Sequence, residues 1–484
     1  MPENTLETSA DPAGLYRTTR RARWDEIAET RPPLNGWNRT YHRRLADVYR
    51  WLIPPRRRVL EVGCGQGDLL AALAPSEGVG VDFSRAMIAR ARTRHPHLTF
   101  VEADAHELAL STSFDYVVLS DLVNDLWDVQ QVFQQLQHVA RCDTRVIMNL
   151  YSHLWELPLA AAKRIGLATP VLDQNWLTVH DIRGLLALTG FEVVRSWQEL
   201  LCPLPVPAVE PLANRVVVKS WPFSLAAMTN FIAARPAHDV KPPPARPSVS
   251  VVVPARNEAG NIENVFRRLP AMGSRTEIVF VEGHSVDDTY GTIERAIAAH
   301  PERQCMLLRQ TGEGKANAVR EGVARATGDI LMILDADLTV APEDLPRFYE
   351  AISSGRGEFI SGVRLVYPME AQAMRFFNLL GNKFFGLLFS WLLGQPIKDT
   401  LCGTKVVWRR DYDRIVEGRA YFGDFDPFGD FELLFGGAKL MRRIVEVPIR
   451  YRQRIYGDTN IHRWKHGWLL LKMSAFAARR LKWV

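Results

Sequence analysis

A proline-rich stretch near the middle of the chain limits how the chain can fold. Residues 235–248 read RPAHDVKPPPARPS, and four prolines fall between Pro242 and Pro247. Proline neither continues a helix nor occupies a central strand, so such a stretch forms a semi-rigid extended spacer. The chain has 484 residues, which is too many for one ordinary hydrophobic core. We therefore predict two domains joined by a linker over residues 236–247.

Short runs rich in Val, Ile and Leu alternate with helical stretches on both sides of this linker. Such runs are typical of buried, mostly parallel strands, so both domains are predicted to be α/β. The predicted strands before the linker are 58–62, 78–81, 98–102, 114–119, 145–149, 191–196 and 214–219. Those after it are 248–253, 277–281, 304–309 and 329–334.

Charge and cysteine content narrow the class of protein. The net charge of +6 permits an anionic partner without identifying one. No recognised nucleic-acid-binding motif accompanies this mild basicity, so no nucleic-acid partner is expected. The five cysteines are scattered, which is typical of reduced thiols in the cytoplasm. The polar start of the chain indicates no secretory signal, and no apolar run is long and uncharged enough to predict a membrane span.

The first predicted strand runs into a glycine-rich turn, and the next two strands end in acids. Glycines at alternate positions let the backbone approach a ligand, and the following helix offers free N–H groups to it. An acid ending the second strand can bind both ribose hydroxyls, and one ending the third can meet an adenine amino group. The Gly-x-Gly-x-Gly spacing is tighter than the dinucleotide pattern, which argues against NAD. The residues concerned are Glu61, Gly63, Gly65, Gly67, Asp82 and Asp104.

Residues 41–218 resemble class I S-adenosylmethionine-dependent methyltransferases, since LEVGCGQGDLL is similar to the first motif of that family. The resemblance implies a Rossmann-like domain over residues 41–235, preceded by an N-terminal extension over residues 1–40. It also implies that the six residues above bind S-adenosylmethionine and that the methyl acceptor lies near residues 120–125. The acceptor itself is not identified. Polar or aromatic candidates on the acceptor side are Tyr41, His42, Asp121, Asn124, Trp176 and His180. His180 is equally well explained as a surface residue, because Thr178 and Asp181 predict a capping box around it.

Polar residues also follow the strands of the second predicted domain. Glu258 lies in the loop after the first strand, Asp287 lies in the loop after the second, and Asp335 and Asp337 follow the fourth. Carboxylates two residues apart at a strand end are hard oxygen ligands, suited to Mg²⁺ or Mn²⁺ bound jointly with phosphates. The pattern therefore predicts a second nucleotide site.

Residues 248–461 resemble family 2 glycosyltransferases of the GT-A fold, and in particular the dolichyl-phosphate mannose synthase branch. The resemblance implies a nucleotide-diphosphate sugar as donor and a metal ion held by Asp335 and Asp337. The residues that it implies for donor binding are Pro254, Asn257, Glu258, Glu282, Asp287, Lys315 and Asp335. Many members of the family carry two successive acids where this chain has Glu282 and Gly283, so UDP and GDP both remain open.

Further positions in this half match the same family. Arg364, Arg375 and Lys405 are candidates for binding phosphates of the donor or the acceptor. Asp430 and Glu432 are candidates for the general base of an inverting transfer, with a slight preference for Asp430. A base is needed for a hydroxyl nucleophile but not for an ionised lipid phosphate.

Two stretches combine apolar and basic residues. Residues 376–394 are rich in Phe and Leu but are interrupted by Asn378, Asn382 and Lys383, and residues 462–484 are predicted to form a basic amphipathic helix. Such helices lie in the interface of an anionic membrane. The alternative is that both helices pack against the second domain as part of its core.

These patterns together predict a bifunctional transferase. One domain transfers a methyl group from S-adenosylmethionine, and the other transfers a sugar to a lipid-linked, polyprenyl-phosphate-like acceptor at the inner face of the membrane. Two alternatives stay open. Both activities act on a soluble, hydroxyl-bearing small molecule, or one half is a nucleotide-binding module without turnover.

Overall fold

The computed structural model describes residues 11–30, 37–164, 172–238, 246–366, 376–422, 429–452, 454, 456 and 463–484. The chain divides into two compact units, Met1–Lys241 and Pro242–Trp483. Each unit is built on its own seven-stranded sheet with helices around it. The predicted class, α/β in both halves, is confirmed. Most of the predicted linker, residues 239–245, lies outside the described residues.

The sheet of the first unit is parallel except for one strand. Its order is β3-β2-β1-β4-β5-β7-β6, and β7 runs antiparallel to both of its neighbours. The strands are β1 (Arg58–Val62), β2 (Glu77–Asp82), β3 (Thr99–Glu102), β4 (Phe114–Ser120), β5 (Ala140–Tyr151), β6 (Phe191–Glu199) and β7 (Thr229–Pro236). Because β1 pairs in parallel with both β2 and β4, the loops that follow these three strands meet at one edge.

Helices alternate with the strands of this sheet along the chain, and local sequence explains how several of them begin and pack. They are α1 (Pro12–Thr30), α2 (Trp37–Leu52), α3 (Asp68–Ala72), α4 (Arg85–Arg94), α5 (Val129–Val139), α6 (Glu156–Arg164), α7 (Val179–Leu188) and α8 (Val209–Arg215). In α5, Asp128 caps the N-terminus and residues 129, 132, 133 and 136 form the buried stripe. The predicted capping box of Thr178 and Asp181 begins α7.

One predicted strand of the first unit is wrong. Residues 214–219 end α8 and form a short 3₁₀ turn, and the strand that completes the sheet is instead β7. The side chain of the buried Asn214 accepts hydrogen bonds from the backbone N–H groups of Leu201 and Cys202. This anchoring of the segment to a distant loop outweighs the strand preference of its valines.

The sheet of the second unit has the order β10-β9-β8-β11-β13-β12-β14, with β13 antiparallel to β11 and β12. Its strands are β8 (Val249–Ala255), β9 (Thr276–Glu282), β10 (Gln304–Arg309), β11 (Ile330–Ile333), β12 (Phe359–Val363), β13 (Lys405–Trp408) and β14 (Ile444–Pro448). The central strand β8 places Val251, Val252 and Val253 in the core with no exposed surface. As in the first unit, the parallel strands β8, β9 and β11 end at one edge.

The helices of the second unit are α9 (Ile262–Arg268), α10 (Thr289–Ala299), α11 (Gly314–Arg325), α12 (Leu345–Ser353), α13 (Phe376–Leu393), α14 (Arg409–Glu417), α15 (Arg419–Phe422), α16 (Asp430–Lys439) and α17 (Arg463–Ala477). Helix α11 approaches the sheet closely, since a Cβ on Gly322 would stand 2.5 Å from a methyl carbon of Val252. Among the described helices of the chain, none is both long and apolar enough to cross a bilayer.

Candidate functional site

The glycine-rich turn follows β1 at the carboxyl edge of the first sheet. Gly63, Gly65 and Gly67 have φ angles of 73°, 51° and 76°, which glycine adopts without strain. A Cβ on Gly63 would stand 2.8 Å from Leu122, whereas a Cβ on Gly65 would meet no atom within 4 Å. The turn is therefore packed closely at one position and open at Gly65, where a ligand can approach the backbone.

Two acids next to this turn, Glu61 in β1 and Asp82 at the end of β2, are buried. The Asp82 carboxylate accepts hydrogen bonds from the backbone N–H of Gly65 at 2.8 Å and of Ser84 at 2.9 Å. Burial raises the pKa of Asp82 to about 6, against the lowering effect of those hydrogen bonds. Glu61 is 2% exposed and its Oε2 has no hydrogen-bond partner among the described residues, and burial raises its pKa to about 8. An unpaired buried acceptor beside an open glycine turn suits a ligand that carries hydroxyl or amino donors.

The third acid of the predicted set, Asp104, is already engaged. Its carboxylate accepts a hydrogen bond from the backbone of His106, contacts the His106 ring at 2.6 Å and lies 3.7 Å from the guanidinium of Arg17. Burial opposes ionisation of Asp104, yet the bonds from His106 and the charge of Arg17 hold its pKa below the ordinary value.

Arg17 belongs to α1, which lies across the loops that follow β2, β3 and β4. The buried Arg20 pairs with Asp125, and Trp24 donates from its ring N–H to the same carboxylate at 2.8 Å. Asp25 accepts from the Ser84 hydroxyl at 2.5 Å. Sequence reasoning placed this helix in an extension outside the domain. The signal was present, since positions 17, 20, 21, 24 and 25 follow the spacing of one helix face.

The structure places the six acceptor-side candidates in different surroundings. Tyr41 donates to Asp121 at 2.6 Å, so these two lie together near the glycine turn. Asn124 is fully buried and bonded to backbone groups of Tyr151 and Asn175, which gives it a structural role. His180 is exposed in the first turn of α7, next to the capping box. Of the other two candidates, His42 lies edge-on to the Tyr41 ring and Trp176 edge-on to the ring of His153.

In the second unit, the loops after β8 and β9 are bonded to each other. The Asn257 side chain accepts from the backbone N–H of Val286 at 2.8 Å, and the backbone N–H of Asn257 donates to the Ser285 hydroxyl at 2.9 Å. Glu282 accepts from the backbone N–H of Ser285 at 2.6 Å. Asp287 accepts from the backbone N–H of Ala259 at 3.3 Å. Pro254 is the penultimate residue of β8, so the predicted donor residues of both loops share one edge.

The two acids after β11 each face a cation. Lys315 Nζ lies 2.7 Å from Asp335 Oδ1, and the Arg454 guanidinium lies 2.7 Å from Asp337 Oδ2. The other oxygen of Asp337 accepts from the backbone and hydroxyl of Thr339. The backbone also comes very near Asp335 at Gly403, where a Cβ would collide with the carboxylate. The described part of the chain contains no group of three or more metal-ligating side chains.

Two further residues of this site, Arg454 and Tyr456, have no role assigned to them from the sequence. Arg454 lies 3.5 Å from Glu258 as well as beside Asp337, and the Tyr456 hydroxyl donates to Asp287 at 3.1 Å. Burial raises the pKa of Glu258 to about 7, against the lowering effects of Asn261 and Arg454. Arg454 and Tyr456 lie in a segment that resembles the same family, and only the long-range contacts of the fold show which acids they meet.

The acids of the second site lie beside two cationic side chains. Four carboxyl groups gather there, from Glu258, Asp287, Asp335 and Asp337, and Lys315 and Arg454 lie against them. Asp335 and Asp337 are hard oxygen donors and fit Mg²⁺ or Mn²⁺ that is shared with phosphates.

Several predicted phosphate and catalytic residues are committed to internal contacts. Arg364 forms a two-pronged pair with the buried Asp399 at 2.7 and 2.8 Å. Lys405 is 1% exposed and donates to the Ser361 hydroxyl at 2.9 Å. Glu432 pairs with Arg320 and Arg419. Arg375 and the side chain of Asp430 lie outside the described residues, although α16 begins at residue 430.

Each half of the chain matches a known protein family. Residues 59–143 match the family described as Methyltransferase domain, and residues 250–414 match Glycosyl transferase family 2. A dolichol-phosphate mannosyltransferase of Pyrococcus furiosus is 29% identical over 49% of this chain and 64% of its own length. An undecaprenyl-phosphate 4-deoxy-4-formamido-L-arabinose transferase of Klebsiella pneumoniae is 26% identical over 45% of this chain and 63% of its own length.

The chain thus spans a little under two thirds of the length of these curated relatives. Among solved structures, magnesium protoporphyrin IX methyltransferase from Synechocystis with bound SAH is similar at 20% identity, with a TM-score of 0.32 over 46% of this chain and 96% of that one. The sheet orders and the two family matches confirm the fold class predicted from sequence: a Rossmann-like region that matches the methyltransferase domain model is followed by an α/β region that matches the glycosyl transferase family 2 model.

Proposed function

We propose that the chain is a bifunctional transferase, with methyl transfer from S-adenosylmethionine in the first unit and glycosyl transfer from a nucleotide-diphosphate sugar in the second. The observation that carries this proposal is that each sheet gathers its own acids at its own carboxyl edge. Glu61 and Asp82 lie at the first edge, and Asp335 and Asp337 at the second. Ligands of open α/β sheets bind at such edges.

In the first unit, the residues at the edge fit a nucleoside. Asp82 would accept hydrogen bonds from the ribose hydroxyls, and the unpaired Glu61 Oε2 would accept one from a donor of the ligand near the turn. Gly65 lets the ligand approach the backbone. S-adenosylmethionine supplies the reactive methyl group. The residues of this edge would hold the cofactor so that its methyl group can be aligned with the acceptor, and little other chemistry is required of the protein.

In the second unit, Asp335 and Asp337 would hold a divalent cation that neutralises charge on a leaving diphosphate. Two unit charges about 4 Å apart interact by roughly 4 kcal/mol at an effective dielectric constant near 20, so this neutralisation matters to the rate. Lys315 and Arg454 already lie beside these carboxylates and are placed to bind diphosphate oxygens. Since both oxygens of Glu432 are taken by arginines, we propose Asp430 as the base for a hydroxyl acceptor.

For the glycosyl acceptor we propose a lipid phosphate. Both curated relatives are named for transfer involving a polyprenyl phosphate. In addition, α13 and α17 of the second unit contact each other, and each exposes apolar side chains and a lysine, Lys383 in α13 and Lys472 in α17; these exposed apolar side chains are called the exposed face. The apolar members of this exposed face are Phe384, Leu387 and Trp391 of α13 and Trp468 and Leu471 of α17. An apolar face with basic neighbours suits the surface of an anionic membrane.

We place the protein in the cytoplasm, bound to the inner face of the membrane, because the described chain has five free cysteines and this exposed face. A soluble, hydroxyl-bearing acceptor is the second candidate. It is favoured if the exposed face binds no lipid.

The experiment that tests the proposal uses S-adenosylmethionine labelled in its methyl group and a panel of UDP- and GDP-sugars. The full chain is incubated with undecaprenyl phosphate, dolichyl phosphate or membrane extract, and products are separated into lipid and aqueous fractions. We expect metal-dependent transfer of sugar into the lipid fraction and binding of S-adenosylmethionine by calorimetry. Sugar transfer confined to the aqueous fraction would select the soluble acceptor. Absence of turnover in one half, with its nucleotide still bound, would select the binding-module alternative for that half.

A further inference from the structure

Asp121 is a strained acid at the carboxyl edge of the first sheet. It directly follows β4 and has a φ angle of 56°, a left-handed conformation that is uncommon for residues other than glycine. Such strain persists where the surrounding structure over-determines it, often at active sites. The next residue, Leu122, packs so closely on Gly63 that a Cβ there would stand 2.8 Å from it. Asp121 therefore lies beside the glycine turn, on the side of β4 and away from Asp82.

A hydrogen-bond network holds the Asp121 carboxyl group in one orientation. Its Oδ1 accepts from the Tyr41 hydroxyl at 2.6 Å and from the Asn149 amide at 2.5 Å. The Asn149 carbonyl oxygen in turn accepts from the Tyr49 hydroxyl at 2.7 Å. None of the described residues donates a hydrogen bond to the other oxygen, Oδ2. Oδ2 is also not fully buried. One oxygen of Asp121 is thus fixed and the other is available to a ligand.

We propose that Asp121 is the general base of methyl transfer and that the methyl acceptor is a hydroxyl or amine that must lose a proton. This proposal rests on the proposed methyltransferase function of the first unit. The acceptor O–H or N–H bond breaks and its proton passes to Asp121 Oδ2. The electron pair left on the acceptor forms a bond to the methyl carbon. The carbon–sulfur bond breaks, its electrons stay on sulfur, and a neutral thioether leaves. Tyr41 and Asn149 are positioning residues, because they act on Asp121 and not on the acceptor.

The electrostatics of the site suit this role. Burial raises the pKa of Asp121 to about 6, although the bonds from Tyr41 and Asn149 lower it. The titratable groups around it are Tyr41 and Tyr49 of α2, Tyr151 of β5, which stacks on Tyr41, and Glu61 of β1. The pKa values of Tyr41 and Tyr49 are raised well above their ordinary value by burial, and that of Glu61 is about 8. Near pH 7 Asp121 is then the ionised member of the group, and a base with a pKa close to the working pH is effective.

A binding experiment tests the position of Asp121 without knowledge of the acceptor. S-adenosylmethionine carries a positive sulfonium where S-adenosylhomocysteine carries a neutral thioether. Asp121→Asn removes the negative charge but keeps an oxygen that can accept from Tyr41. By calorimetry on the full chain at pH 7.5, we expect the variant to bind S-adenosylmethionine about tenfold more weakly and S-adenosylhomocysteine almost as the wild type does.

Two further variants complete this experiment. Asp47→Asn changes an acid of α2 that pairs with Arg50 on the outer side of the helix, and it should change neither affinity. Tyr41→Phe removes one hydrogen bond to ionised Asp121 and so raises its pKa. The preference of this variant for S-adenosylmethionine over S-adenosylhomocysteine should be lost near pH 6 and kept at pH 8. This pH shift would not follow from a purely structural role, and it also serves as the test if Asp121→Asn fails to fold.

The outcomes are distinct. The measured quantity is the ratio of the affinities for S-adenosylmethionine and S-adenosylhomocysteine. The proposal is overturned if this ratio is unchanged in Asp121→Asn and does not shift with pH in Tyr41→Phe. Failure of the wild type to bind either ligand instead overturns the proposed methyltransferase function. With any acceptor found by methyl labelling, Asp121→Asn should lower kcat by about a hundredfold or more and remove the pH dependence near pH 6. An unchanged kcat would show that Asp121 is not the base.

Discussion

The two carboxyl edges of this chain hold their acids in opposite ways. At the first edge, Glu61 and Asp82 are buried without a cation, and burial raises their pKa values to about 8 and 6. At the second edge, Asp335 and Asp337 lie against Lys315 and Arg454. The first arrangement suits a ligand that brings hydrogen-bond donors to fixed acceptors. The second suits ligands that arrive as a cation and a polyanion, because each can replace one partner of an existing ion pair.

The helices near the two edges differ as well. In the first unit, α1 covers the edge through polar contacts that involve Arg17, Arg20 and Asp25. In the second unit, α13 and α17 leave apolar side chains exposed, with Leu387 76% and Trp468 62% accessible. A polar helix over a ligand edge restricts access to the ligand, whereas an exposed apolar face with basic neighbours favours contact with lipid.

The largest expected effect is at Asp337. If the second edge binds a metal ion, that ion replaces Arg454 as the partner of this carboxylate. Asp337→Ala should lower glycosyl transfer at least about a hundredfold, since one carboxylate ligand of a metal–diphosphate site is lost. The measurement is the rate of sugar transfer with chelator and with added Mg²⁺ or Mn²⁺. Glu302→Gln, an exposed acid of the same unit, is the matched control and should leave the rate unchanged. Full metal-dependent activity in Asp337→Ala would show that Asp337 does not bind the metal and that the two edges do not differ in this way.

A smaller effect is expected at Asp82, the fixed acceptor of the first edge. Asp82→Ala should weaken binding of S-adenosylmethionine by about 1–3 kcal/mol, because buried ribose hydroxyls would lose their partner. Calorimetry on the full chain measures this, with Asp47→Asn as control, because Asp47 pairs with Arg50 within α2. Equal affinities of Asp82→Ala and wild type would mean that the ribose binds elsewhere.

The raised pKa of Asp82 adds a pH dependence to that experiment. Its folded pKa of about 6 lies above the ordinary value of 3.8, so the folded protein holds a proton that the unfolded chain releases between about pH 4 and 6. The contribution of Asp82 to stability is therefore lost as pH rises through 6. Ligand affinity should change the opposite way, since ribose hydroxyls donate to the ionised form. Tighter binding at pH 5 than at pH 7.5 would contradict this account.

The exposed apolar face offers a test of intermediate size. Leu387→Glu with Trp468→Glu should lower binding to vesicles of phosphatidylcholine and phosphatidylglycerol several-fold, because both changes remove apolar area and add negative charge. Leu188→Glu, at an exposed leucine of the first unit, is the matched control. Sedimentation with vesicles measures the bound fraction at low and high salt. Equal binding of the control and the double variant would assign the lipid contact to another surface.

The smallest effect is expected at the covering helix α1. Arg20→Ala removes the ion pair with Asp125 and should speed dissociation of S-adenosylmethionine a few-fold, since α1 would detach more easily from the loops after β4. Stopped-flow fluorescence of Trp24, which lies in the same helix, reports the rate. Arg23→Ala changes a residue that pairs with Glu26 on the outer side of α1 and should not alter the rate. An unchanged rate in Arg20→Ala would show that α1 does not control access.

The features of this chain that could be predicted from its sequence are the local ones. The glycine turn, the acids that follow β2 and β11, and the capping box of α7 each lie within a few residues of the strand or helix that they terminate or begin. The α/β class also follows from local runs of Val, Ile and Leu. These features depend on backbone geometry and burial that neighbouring residues impose, so they can be recognised without knowledge of distant contacts.

Only the tertiary structure decided which distant groups meet. Arg454 reaches Asp337 from 117 residues away, Arg20 reaches Asp125 from 105 residues away, and Tyr41 reaches Asp121 across 80. Arg364 and Lys405 matched a phosphate-binding pattern, yet packing pairs them with Asp399 and Ser361. The sequence by itself determined the two α/β halves and the acids at their strand ends. Which cation faces each acid depends on long-range packing, because a charged side chain pairs with the group that the fold brings near it, at any sequence separation.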